Sequence, residues 1–181
     1  MHSYRWNAVT AATGYDKAAA IIHPRYREIQ DCILAQLPAQ RTARFTLLDA
    51  GGGSGRLLER ILKRYPDAHG INLDQSEAFL SLAERRLHSF GSRVLYCQAR
   101  LQDNWEASLQ VRPHYVVSMS AIHHLARSEK EAFYKRCFST IESEGIFING
   151  DEVRPPDDQD YLARLHHWAA HMRQVLSLIH I

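Results

Sequence analysis

The segment LLDAGGGSGRLLERIL (47–62) constrains this chain more than any other stretch. An apolar run that reads as a strand ends in Asp49. Glycines then occupy positions 51, 52, 53 and 55, and an amphipathic helix begins at once. Gly51, Gly53 and Gly55 fall at every second position, where the backbone must turn sharply and let a ligand approach without a Cβ in the way. The amides that open the following helix form a donor-rich, weakly positive patch.

The rest of the chain repeats the strand–helix alternation. Short apolar runs at 45–50, 69–73, 93–98, 115–119 and 145–150 are bounded by Gly, Pro or polar residues, as strands are. Helical signals lie between them at 54–64, 75–89 and 128–141, the last with Ser128 and Glu131 at capping-box spacing and with Phe133, Cys137 and Ile141 as its buried face. A weaker helical signal surrounds Trp105–Leu109. This order predicts an α/β fold, a Rossmann-like doubly wound, mostly parallel sheet of about five strands with helices on both faces. Ahead of it, Ala19, Ile22, Tyr26, Ile29, Ile33 and Leu37 recur at helical spacing, interrupted at Pro24 and stopped by Pro38. The first 15 residues have no period and read as a flexible or ligand-ordered arm, whose Tyr4, Trp6 and Tyr15 are candidates to cap a pocket. Residues 1–40 thus form an arm and helical lead-in, and 41–181 the ligand-binding domain. A last apolar stripe, Tyr161, Leu165, Trp168, Met172 and Val175, is expected to face the core or a lid.

Spacing separates the ligands that use a glycine loop. A P-loop needs a Lys-Ser/Thr pair where this chain has Arg56-Leu57. The dinucleotide fingerprint wants its third glycine five residues after the first; here it falls at four, and Arg56 fills the fifth place. Asp74, 23 residues after Gly51, is placed to accept both hydroxyls of a ribose, a bond pattern that suits an adenosyl cofactor and NAD alike.

DAGGGSG resembles the first motif of class I S-adenosylmethionine-dependent methyltransferases, and the downstream features follow in the family's order. Asp74-Gln75 is similar to its ribose- and adenine-side pair. YCQARLQD (96–103) ends the third strand, with Arg100 standing where the family often has an Asp on the adenine amino group. VVSMSAIHHL (116–125) and IESEGIFINGDEV (141–153) resemble its fourth and fifth strands. The resemblance covers residues 45–153 and implies S-adenosyl-L-methionine as cofactor and methyl transfer as the reaction. It implies cofactor contacts from Asp49, Gly51, Gly52, Gly53, Gly55, Asp74, Gln75, Arg100, Leu101 and Ser118. With an arginine at 100, the adenine falls to the backbone of Arg100 and Leu101, or to Gln98 or Asp103. Tyr15-Asp16 is similar to a pair that closes over the cofactor in relatives. The family sheet usually has seven strands, so this chain reads as a C-terminally truncated piece that leaves the fourth or fifth strand as an open edge. The closing LSLIHI (176–181) resembles a translated sequencing-adapter tail.

His123 and His124 follow the fourth strand, where a base would stand if the acceptor must lose a proton. Asp151 and Glu152 follow the fifth and could orient an acceptor. His167 and His171 lie four apart without a third ligand, so no metal is expected. Lys plus Arg (22) nearly balance Asp plus Glu (20), which favours a small-molecule acceptor over nucleic acid without excluding a folded RNA. Three scattered cysteines and no long apolar run point to a cytoplasmic protein without a membrane span. Oligomeric state is not readable. The alternatives are a cofactor-binding partner subunit without catalysis, a relative doing carboxymethyl chemistry, and an NAD-dependent oxidoreductase.

Overall fold

The computed structural model describes residues 5–178; Tyr4 and the last three residues of LSLIHI lie outside the described residues. Five strands, β1 (Thr46–Ala50), β2 (His69–Asp74), β3 (Val94–Gln98), β4 (Tyr115–Met119) and β5 (Ile146–Gly150), form one sheet in the order β3-β2-β1-β4-β5. Every pairing is parallel. Helices α1 (Val9–Ile22) and α2 (Tyr26–Ala35) precede the sheet. Helix α3 (Arg56–Arg64) joins β1 to β2, α4 (Glu77–Leu87) joins β2 to β3, α5 (Arg127–Thr140) joins β4 to β5, and α6 (Asp158–Leu178) follows. The β3–β4 connection holds only a 3-10 turn, Trp105–Ser108.

Consecutive strand residues feed opposite cores, as the pleat requires. Leu47 and Val117 pack with α2, α3 and Leu87 of α4 on one face. Leu48 and Val116 pack with Trp105, Phe133 and Cys137 on the other. Both faces of β1 are therefore covered, and its chain direction fixes where its ends emerge. The strand order reverses between β1 and β4, which opens a crevice at their carboxyl ends. β3 and β5 are the sheet edges, and Ile146 of β5 is 44% exposed.

Three expectations are corrected, and one is met. The arm is helical from Val9, because Ala12 is buried against Ala78 and Phe79 of α4. The lead-in breaks at Pro24 as expected, into two helices, since Pro24 forces His23 into extended backbone. α5 starts at Arg127, where Glu129, not Glu131, reaches back to the Ala126 N–H at 2.7 Å. The stripe on α6 is not core: Leu165 and Trp168 are 41% and 48% exposed, and the helix touches α1, His171 meeting the Ile21 carbonyl. No helix among the described residues is long and apolar enough to cross a membrane.

Candidate active site

A cleft of about 810 Å³ lies at the carboxyl ends of β1, β2 and β4, roofed by α1. Its floor is the glycine loop. Gly51 and Gly52 both donate to the Leu73 carbonyl, at 2.8 and 3.0 Å, which pins the loop to the end of β2. Gly51 has φ +74°, and a Cβ there would come within 2.5 Å of Ala121 Cβ. A Cβ on Gly52 would collide with Asn72 Oδ1 and fall 2.9 Å from Asp49 Cγ. Gly55 does not line the cleft; it seats the start of α3 against Leu87.

Two carboxylates stand behind this loop. Asp49 is 1% exposed, and among the described residues Oδ2 has no hydrogen-bond partner, as is true of Asn72 Oδ1 on the neighbouring strand. Burial first, then the nearby Asp74 charge, pushes the Asp49 carboxyl up to about 7. Asp74 accepts from Gly53 N–H at 2.9 Å and from Ser76 N–H at 2.8 Å, one bond to each oxygen. Burial still raises its carboxyl above the usual range, against the backbone donors of Ser76, Gly53 and Gln75. Each oxygen keeps a further lone pair.

Of the remaining expected contacts, Gln75, Arg100 and Leu101 line the cleft and Ser118 does not. Ser118 is fully buried and donates to the Ala50 carbonyl at 2.8 Å; the cleft wall after β4 is Met119–Ala121 instead. Asp103 Oδ2 takes the Arg100 N–H at 3.0 Å, so that amide is committed, and neither Gln98 nor Asp103 reaches the cleft. Leu101 and Gln102 are left to meet a ligand there.

Past β4 and β5 the cleft is lined by His123, His124 and Glu152, with His23 beside Glu152 and Tyr26 stacked on His23, while Tyr15 reaches from His23 to Phe79 of α4. Asp151 grips His123 with both oxygens, Oδ2 on its backbone N–H at 2.9 Å and Oδ1 on Nδ1 at 2.6 Å. The hydrogen bond that His123 donates to Asp151 raises the His123 pKa, burial opposing. His124, its ring 4.0 Å away, is lowered by burial and by His123. His23 Nε2 lies 3.0 Å from the Tyr15 hydroxyl and Nδ1 lies 3.5 Å from Glu152.

Sequence reasoning missed His23 and the clasp that holds the roof. Asp16 of α1 receives Ser54 Oγ, Arg56 Nε at 2.8 Å and Arg86 Nη2 at 2.9 Å. Burial works to raise this carboxyl, but the bonds from Arg86, Arg56 and Ser54 prevail and hold it at about 2. Arg56, whose place in the sequence rules out a P-loop, also ties the loop helix to α1. The signal in the sequence for this clasp is an acid on the lead-in, with one arginine opening α3 and another near the end of α4.

A family model described as a methyltransferase domain matches residues 47–145. Ribosomal RNA small subunit methyltransferase H of a Nitratiruptor species is 37% identical over 65 residues, 36% of this chain and 22% of that protein. Carboxy-S-adenosyl-L-methionine synthase of Nautilia profundicola is 21% identical over 108 residues, 59% of this chain and 44% of that protein. The chain spans less than half the length of both curated relatives. An O-methyltransferase family protein from Burkholderia thailandensis shares the fold, with a TM-score of 0.63 at 20% identity over 80% of this chain and 42% of that one. The match overturns the NAD-dependent oxidoreductase alternative. More than half of the chain fits one family model across the strands and the loop that build the cleft, and the chain belongs to the methyltransferase domain family.

Proposed function

We propose that the protein is an S-adenosyl-L-methionine-dependent methyltransferase acting on a small-molecule acceptor. The observation that carries this reading is the pair of orphaned buried acceptors, Asp49 Oδ2 and Asn72 Oδ1, beside a glycine cradle that a Cβ would fill. Buried acceptors without donors are costly, and a ligand ammonium in the cleft relieves Asp49, which lines it. In this reading Asp49 and the loop at Gly51–Gly53 hold the amino-acid end, Asp74 takes the ribose hydroxyls, and Gln75 and Leu101 flank the adenine. When bound, the cofactor supplies an already activated methyl group. The chain's own contribution is then to orient the acceptor and exclude water under α1.

The acceptor occupies the part lined by His23, His123 and His124. The concave, ring-lined character of that part favours a small molecule over nucleic acid. Titration calorimetry with S-adenosyl-L-methionine tests the cofactor assignment. Asp74→Ala is expected to weaken binding about 10- to 100-fold, the worth of a charge-assisted bond pair. Unchanged affinity overturns the ribose role. Mass spectrometry of the products separates methyl from carboxymethyl transfer, and tight binding with no transfer to any acceptor would mark a non-catalytic partner subunit.

A further inference from the structure

We propose that Arg136 of α5 is a positioning residue for the base end of the methyl donor, holding the loop 99–104 in its binding shape without touching the ligand. This rests on the reading above, in which Leu101 flanks the adenine. The loop runs from the end of β3 to the 3-10 turn at Trp105, in the one strand connection after β1 that has no α-helix. Ala99, Arg100, Leu101 and Gln102 line the cleft, and a Cβ on Gly51 would lie 3.9 Å from Leu101 Cδ1. Both ends of the loop are anchored. The Ala99 N–H donates to the Asp74 carbonyl at 3.2 Å, and Trp105 is buried beside Phe133 of α5. The turn between them closes on itself: the Asp103 N–H donates to the Arg100 carbonyl and the Arg100 N–H to Asp103 Oδ2, both at 3.0 Å. These bonds fix the shape of the turn and not its place over the cleft.

Arg136 fixes the place. Its side chain is 14% exposed, and Nε lies 2.9 Å from Glu106 Oε2. Nη1 donates to the Leu101 carbonyl at 3.3 Å, and Nη2 donates to the Gln102 carbonyl at 3.5 Å and to Asn104 Oδ1 at 3.4 Å. Each bond is long, so the strength of the tie lies in their sharing one planar cation. The rigid fork joins Leu101, Gln102 and Asn104 to α5 at once, which the single ammonium of a lysine does not do. Gln102 Nε2 adds a second tie to α5, through Glu129 Oε1 at 3.4 Å. Arg136, Glu106 and Asn104 do not line the cleft. The clamp therefore acts only through the loop, and ordering the loop before the ligand arrives lowers the entropy that binding loses.

The consequence is a loss confined to one part of the ligand. Without the clamp the base should contribute less. The ribose and amino-acid ends, assigned to Asp74 and the glycine loop, should bind as before.

The test uses the full chain and two probes, S-adenosylhomocysteine and S-ribosylhomocysteine, which lacks the base. In calorimetry the parent should bind the first more tightly. Arg136→Met should weaken S-adenosylhomocysteine about 10-fold and S-ribosylhomocysteine less than about 2-fold. Hydrogen exchange should quicken at 99–104 and stay unchanged at the glycine loop. Arg136→Lys, which keeps the charge without the fork, should fall between parent and Arg136→Met. Glu106→Gln should shift the ratio of the two affinities the same way, and adding it to Arg136→Met should change nothing more, because both act through one clamp. This milder variant carries the comparison if Arg136→Met does not fold. An unchanged affinity ratio in the folded variants overturns the proposal, whether both probes weaken alike or neither does, and so does unaltered exchange at 99–104. A parent that binds the two probes equally, or binds neither, instead overturns the reading that sets the adenine beside Leu101.

Discussion

Asp49→Asn is expected to make the unliganded protein more stable, and increasingly so as the pH rises from 5 to 8. The Asp49 carboxyl ionises at an ordinary 3.8 when free and is pushed up to about 7 in the fold. Between those values the folded chain binds one proton more than the unfolded chain, so stability falls as pH rises and levels off above 7. The cost is about 2 kcal/mol at pH 5 and about 4 kcal/mol at pH 8, a difference of about 2–3 kcal/mol from this one group. An amide at this position does not titrate, and it can donate to Asn72 Oδ1, the neighbouring orphan. Urea melts of both proteins at pH 5, 6, 7 and 8 read the effect as a widening gap. In thermal melts the gap should grow by about 5–10 °C for a chain of this size. Packing changes shift both ends of the series alike, so only the slope matters. Parallel pH profiles would refute the reasoning. The gain in stability should come with a loss of cofactor affinity, since the ammonium loses its counter-charge. In the parent, binding near neutral pH should release a proton, which calorimetry in buffers of different ionisation heat detects.

Two other changes test the loop and its roof. Asp16→Asn removes the carboxylate shared by the partly buried Arg56 and Arg86, leaving Arg86 with Glu59 at 3.5 Å. With solvent screening allowed for, it should cost about 1–2 kcal/mol at pH 7, from the depression of the Asp16 pKa to about 2. That contribution is present above pH ~4 and fades as pH falls through about 2, so the parent and variant melting curves should converge in acid. Gly52→Ala should fold yet lose cofactor binding by calorimetry, because its Cβ must displace Asn72 or Asp49; full affinity with an unmoved melting temperature would contradict the geometry.

The donor half of the cleft was legible because its residues are nearly contiguous. Strand, glycine loop, helix and the Asp that ends β2 follow one another within 29 residues, and periodicity locates each element. The same reasoning failed where partners are remote. Nothing local to Asp16 announces Arg86, 70 residues on, and nothing local to Asp103 shows that its carboxylate is spent on the Arg100 amide. Ser118 ends an apolar run, as a cleft contact would, but the pleat turns its hydroxyl to the Ala50 carbonyl. The amphipathic stripe of α6 satisfies the helical period without being buried, since period reports a face and not what covers it.

The two halves of the cleft differ in how they are built, and this bears on how such a site changes function. The donor half is one β1–α3–β2 unit whose glycines tolerate no Cβ at 51 or 52. The acceptor half draws on the α1–α2 corner at His23 and Tyr26, the turn after β4 and the residues after β5, segments that meet only in space. Residues 23–26 can therefore vary in shape and polarity without disturbing Asp49 or Asp74. The Asp16 clasp limits that freedom, because it fixes α1 to Ser54 in the glycine loop and to the helices on either side of Asp74. Substitutions at His23 or Tyr26 that keep the clasp should change which acceptor binds. Loss of the clasp should instead weaken both ligands together, and comparing the two classes of variant by cofactor calorimetry and by acceptor KM distinguishes a specificity wall from a lid.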